Sequence, residues 1–113
     1  MIEPLRGDVW LADLNPTRGR EQVGVRPALV VSVDRFNRGP ADLVIALPIT
    51  SRDKGVPVHV AIDAPEAGLK HRRFVKCEDV RSISKERLTK RLGGVSPGTV
   101  AQVEDRLRAL LGP

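Results

Sequence analysis

Tyrosine is absent from the 113-residue chain, and Trp10, Phe36 and Phe74 are its only aromatic residues. Ring platforms that hold single-stranded nucleic acid without regard to sequence are therefore scarce, so such a partner would have to be held by arginines, backbone groups and loop shape. One cysteine, Cys77, excludes an intrachain disulfide and a multi-cysteine zinc site. The two histidines, His59 and His71, combine with carboxylates at no recognisable ligand spacing, so neither a metal nor a cofactor is expected. No apolar run approaches the roughly 20 residues of a membrane span, and Met1 to Arg6 lacks a signal-peptide core, which points to the cytoplasm. Repeats, low-complexity tracts and linkers are missing too.

What remains fits one domain over residues 1–113, small enough that burial is limited and self-association would aid stability. The net charge of +5 favours an anionic partner, because basic side chains that meet phosphates release counterions.

The stretch Arg18 to Val33 sets a polar, glycine-punctuated loop against an apolar run. Leu29 to Val33 has the aliphatic, β-branched character of a core strand. Pro27 holds Arg26 in extended geometry and cannot donate to a ladder, so the pair belongs at a strand start, a stiff mount for a guanidinium. Strands are expected over Gly7 to Leu14, Pro27 to Val33, Leu43 to Pro48 and Val58 to Ile62, with a longer one over Phe74 to Ile83. Asp34 to Ala41 reads as a connection, and Thr50 as emerging just past a strand end. A short helical turn follows Ser84. Ser96 and Pro97 then start a helix in which Val100, Val103, Leu107, Leu110 and Leu111 follow at helical spacing, and Gly112 ends it. The pattern gives a mostly β chain, a strongly curved antiparallel sheet with a C-terminal helix over one face.

Several separated blocks recur in an order that resembles the MazF/PemK family of toxin endoribonucleases: RGDVW at Arg6, the EQ-x-G-x-RP loop ending at Pro27, D-x-FNR from Asp34, PITS from Pro48, an Arg-containing strand after Cys77, and the SP-initiated helix. The likeness runs from Arg6 to about Gly112. It implies a small SH3-like barrel working as a homodimer, a single-stranded RNA substrate, and an antitoxin partner with an acidic, largely disordered tail. It also implies that Arg26 and Thr50 are the catalytic pair, with Arg18, Arg20, Glu21, Gln22, Asn37 and Arg81 as RNA contacts.

The residue types suit metal-free cleavage, in which the ribose 2′-hydroxyl attacks phosphorus and leaves a cyclic phosphate and a 5′-hydroxyl. Arg26 offers a planar, permanently charged fork for two phosphate oxygens, and Thr50 one hydroxyl to orient them. A guanidinium with a pKa above about 12 is a poor base, so Arg26 is read as stabilising the phosphorane and its leaving group. Glu21 is the candidate carboxylate base. Plainer roles stand beside these: Arg26 neutralising Asp8 or Asp34, Lys70 to Arg73 as an exposed basic turn, His59 pointing outward from its strand, and Cys77 as a small core hydrophobe. Two positions depart from the family pattern. Arg20 stands where many relatives have serine, and Asp79 where they have glutamine, which changes what could read a base. The competing functions are a noncatalytic toxin of the same fold that poisons DNA gyrase, and an SH3-like binding module.

Overall fold

Apolar alternation builds the strands, and the computed structural model describes residues 3–14 and 24–112. In chain order come β1 (Asp8–Asp13), β2 (Val25–Val30), α1 (Asp34–Asn37), β3 (Leu43–Thr50), β4 (His59–Ile62), β5 (Arg73–Lys76), β6 (Arg81–Ser84), β7 (Leu88–Gly94) and α2 (Pro97–Leu111). Single 3-10 turns lie at Glu66–Gly68 and Lys85–Arg87. The strands pair antiparallel in the order β4-β5-β3-β2-β1-β7, with β6 beside β3. Among the described residues β6 has no partner but β3, so the curved sheet is not hydrogen-bonded into a closed barrel.

Strand β3 is the hinge of the sheet. It pairs with β2 through Ala46–Pro48, with β6 through Leu43–Ala46 and with β5 through Ile49–Thr50. The single strand expected over Phe74 to Ile83 is therefore two. With Phe74 opposite Thr50, an unbroken strand would put residue 78 opposite Ala46, but Arg81 stands there. Three residues are extruded, and the Asp79 amide turns back to the Lys76 carbonyl at 3.1 Å. Strand β2 also starts two residues ahead of Pro27 and ends at Val30, and β3 runs on to include Thr50.

Both sheet faces are buried because alternate residues feed two clusters. Val9, Leu29, Leu47, Ile49, Val60 and Val75 pack beneath α2 around Val103. On the opposite face Trp10, Ala12, Ala28, Val30, Val44 and Ala46 meet Ile83 and Leu88. Each fully buried aliphatic side chain contributes roughly 1.5–3 kcal/mol against exposure, so this two-sided burial carries the fold.

The expected connection after β2 is a short helix, α1, held by a polar network. Asn37 is fully buried. Its amide nitrogen donates to the Ser32 carbonyl at 3.0 Å and its amide oxygen accepts from the Ser32 hydroxyl. The same hydroxyl accepts from the Ile45 amide of β3 at 2.9 Å. Lys85, also buried, donates to the Asn37 carbonyl at 2.7 Å and to Glu3 Oε2 at 2.8 Å.

Helix α2 begins as its sequence indicates, with the Ser96 hydroxyl accepting from the Thr99 amide at 3.2 Å. Glu66 adds a second cap. Its Oε2 accepts from the Ser96 amide at 3.0 Å and the Thr99 hydroxyl at 2.6 Å. Burial acts to raise the Glu66 pKa, but the hydrogen bonds from Thr99 and Ser96 outweigh it and hold the carboxyl below its usual value. The turn that presents Glu66 lies flat on β7, where a Cβ on Gly93 would come 2.7 Å from the Ala67 carbonyl carbon.

Two stability predictions follow from these contacts. Asn37→Ala removes the partners of the Ser32 hydroxyl hydrogen and carbonyl in the interior and is expected to lower unfolding free energy by about 1–3 kcal/mol in urea titration. A carboxyl with a depressed folded pKa contributes stability that is present above its unfolded pKa, near 4.5, and is lost as pH falls through the folded value. The melting temperature of Glu66→Gln should thus fall below that of the unaltered chain at pH 7, and the difference should narrow as pH drops below 4.5.

Candidate active site

Pairing places Arg26 through two neighbours. On one side β1 holds it opposite Ala12, and Pro27 opposite Leu11. On the other, β2 and β3 match Val30 with Ala46, Leu29 with Leu47 and Ala28 with Pro48. Pro27, with no amide hydrogen, ends that ladder. The same register carried two residues further sets Arg26 across from Thr50. Residues so opposed share a sheet face, with Cβ atoms about 5 Å apart. Arg26 is exposed and Thr50 nearly buried, so this end of the face combines an exposed cationic residue with a recessed hydroxyl.

Thr50 is oriented from its own strand end. Its Oγ1 accepts from the Arg52 amide at 3.1 Å. With a backbone donor on its oxygen, the hydroxyl hydrogen is left to point at whatever lies above the face. No local signal marks this clasp, since any residue but proline at position 52 supplies the amide.

The same face carries an ion-pair network. Arg81 makes a fork on Asp79, Nε to Oδ1 at 2.9 Å and Nη2 to Oδ2 at 2.8 Å, and Lys76 lies 3.7 Å from the same carboxylate. All three side chains keep 15% or less of their exposure. The negative charge introduced at Asp79 is thus an internal counterion for two cations. It aims Arg81, which occupies the position opposite Ala46. Beyond it, where β6 meets no strand but β3, a cleft of about 260 Å3 is lined by Arg81, Arg87, Ser82, Ser84 and Asp13.

The remaining residues singled out in the sequence separate cleanly. Arg18, Arg20, Glu21 and Gln22 lie outside the described residues. Asn37 is corrected from an RNA contact to a structural residue, because its amide is buried and committed to Ser32. Asp8 is engaged by Arg91 at 3.1 Å and by the Trp10 indole at 3.3 Å, and Asp34 by the Arg6 amide at 2.7 Å. His59 does not point outward: its side chain is 5% exposed and Nε2 meets Glu78 Oε2 at 3.0 Å. Glu78 reaches it from the extruded turn, two residues past Lys76, the cross-strand partner of His59. Cys77 is wholly buried, and burial with the nearby Glu78 charge pushes its thiol up to about 11, which suits a core hydrophobe and not a nucleophile. Among the described residues no three His, Cys, Asp or Glu side chains cluster in a way that could hold a metal ion.

Comparison with known proteins bears on this geometry. A family model described as "PemK-like, MazF-like toxin of type II toxin-antitoxin system" matches residues 5–111. The chain is 37% identical over 107 residues to Endoribonuclease EndoA of Bacillus subtilis (strain 168), covering 94% of this chain and 92% of that one. The crystal structure of MazF from Deinococcus radiodurans superposes with a TM-score of 0.88 at 33% identity, covering 100% of both chains. MazF in a MazE-MazF crystal structure from the same organism gives 0.82 at 34% identity, covering 99% of this chain and 98% of that one. Matching almost end to end in sequence and in backbone, the chain belongs to the PemK/MazF-like family of type II toxin-antitoxin toxins.

Proposed function

We propose that this toxin is a sequence-specific endoribonuclease that cuts single-stranded RNA without a metal ion. The observation that supports the reading is the β2–β3 register, which, carried past Pro27, brings Arg26 and the oriented Thr50 hydroxyl to the same end of one sheet face. The relatives named as endoribonucleases support it. In the proposed reaction the ribose 2′-hydroxyl attacks the adjacent phosphorus, the bond to the 5′-oxygen breaks, and a cyclic phosphate and a 5′-hydroxyl result. Thr50 donates to a non-bridging oxygen and fixes the in-line approach. Arg26 carries the charge that builds on the phosphorane and on the departing oxygen, a role for which a permanently protonated group is suited. Arg81, aimed by Asp79, meets a neighbouring phosphate, and the loop residues Arg18, Arg20, Glu21 and Gln22 complete the RNA contact. Glu21 is the proposed proton acceptor.

We further propose that the enzyme works in the cytoplasm as a single-domain homodimer. No described helix is long and apolar enough to cross a membrane, and the small core gains from a second copy. An antitoxin with an acidic, largely disordered tail would restrain the toxin; the relative solved as a MazE-MazF assembly supports a protein partner.

Purified protein incubated with mixed-sequence RNA in EDTA is expected to cut it. Arg26→Ala should slow the chemical step by about 10²-fold or more, and Thr50→Val roughly tenfold to hundredfold. A single 2′-deoxy nucleotide on the 5′ side of the scissile phosphate should abolish cutting. Cleavage that needs added divalent metal, or gyrase inhibition with all RNA intact, would overturn the reading.

A further inference from the structure

We infer that Arg72 is a stacking platform for an RNA base beside the scissile phosphate, an inference that rests on the RNA-cleaving reading above. Phe74 is the cross-strand partner of Thr50, so the two share a sheet face at the point where the catalytic pair converges. The Phe74 ring is itself nearly covered, at 9% exposure, and cannot take a base directly. What lies over it is the Arg72 guanidinium, whose central carbon is 5.6 Å from the ring centroid. A guanidinium within about 6 Å of a ring centroid is drawn to the ring by cation–π attraction, and its far side offers a planar cation on which a base can stack.

The other restraints on Arg72 are weak. Its ion pair with Asp63 spans 3.4 Å between side chains that are 61% and 75% exposed, a geometry that contributes little. The side chain is therefore largely open to solvent, with the Phe74 ring its nearest aromatic support. RNA-binding surfaces stack unpaired bases on arginine planes as readily as on aromatic rings. In a chain with three aromatic residues, a guanidinium mounted on one of them supplies the plane that the composition otherwise withholds. A base seated there would lie next to Thr50, on the strand across from it.

A bare phosphate contact and a lid over Phe74 are the competing roles, and substitution separates them. Lysine keeps the charge and the stem but has no plane, so stacking predicts that Arg72→Lys behaves as Arg72→Ala does. With an RNA that the unaltered enzyme cuts, both variants are expected to raise KM about tenfold while kcat stays within about twofold. The same RNA, made uncuttable by 2′-deoxy substitution and carrying 2-aminopurine beside the cut site, should be quenched on binding the unaltered protein and much less on binding either variant. Thermal melts of all three proteins check that the fold is kept. Recovery of normal KM by Arg72→Lys would reduce the residue to a phosphate contact, and an unchanged KM in Arg72→Ala would reduce it to packing. Either result overturns the inference while leaving the nuclease intact; failure of the unaltered protein to cut any RNA is the separate outcome that removes the underlying function.

Discussion

The antiparallel register between β2 and β3 is the constraint on which the site depends. A slip of one residue would turn Arg26 or Thr50 to the helix-covered face, where Leu29, Leu47 and Ile49 are packed. The register cannot slip, because both faces of these strands are buried by alternate residues and a shift would exchange the two cores wholesale. Precision at the site is thus a by-product of hydrophobic burial several residues away. Pro27, with no amide hydrogen, stands where the β2–β3 ladder ends, next to the residues proposed for the site.

Support for the site comes from polar groups with no chemical part in it. The Arg52 amide settles which way the Thr50 hydroxyl faces, and Asp79 settles which way Arg81 faces. The Ser32–Asn37–Lys85 network ties α1, the start of β3 and the N-terminal segment together on the flank. Each is a buried or half-buried polar cluster with its partners in place, the condition under which such clusters stiffen a fold instead of weakening it. His59 Nδ1 is the exception, the one buried side-chain polar atom among the described residues without a partner.

The sequence made the strands and α2 legible because alternation, the Ser96–Pro97 start and the Gly112 stop are local signals, set by neighbours within a few positions. The break at Cys77 to Val80 was hidden because its cause is remote: β3 must pair with both β5 and β6, and only the three-residue excess between Phe74 and Arg81 allows it. Asn37 misled for a related reason. An asparagine in a polar stretch looks available, and its burial depends on Ser32 and Lys85 arriving from elsewhere in the chain. Arg26 and Thr50 were singled out through the ordered blocks that resemble a family; what those blocks could not supply is the register that aligns β2 with β3, or the Asp79 carboxylate that holds Arg81.

The central claim is that Arg26 and Thr50 act on one phosphate as a unit, and a double-mutant cycle on the single-turnover cleavage rate tests it most directly. Residues that work together are strongly non-additive, so Arg26→Ala combined with Thr50→Val should be little slower than Arg26→Ala alone. Losses that simply multiply, as for two sites without contact, would contradict the account.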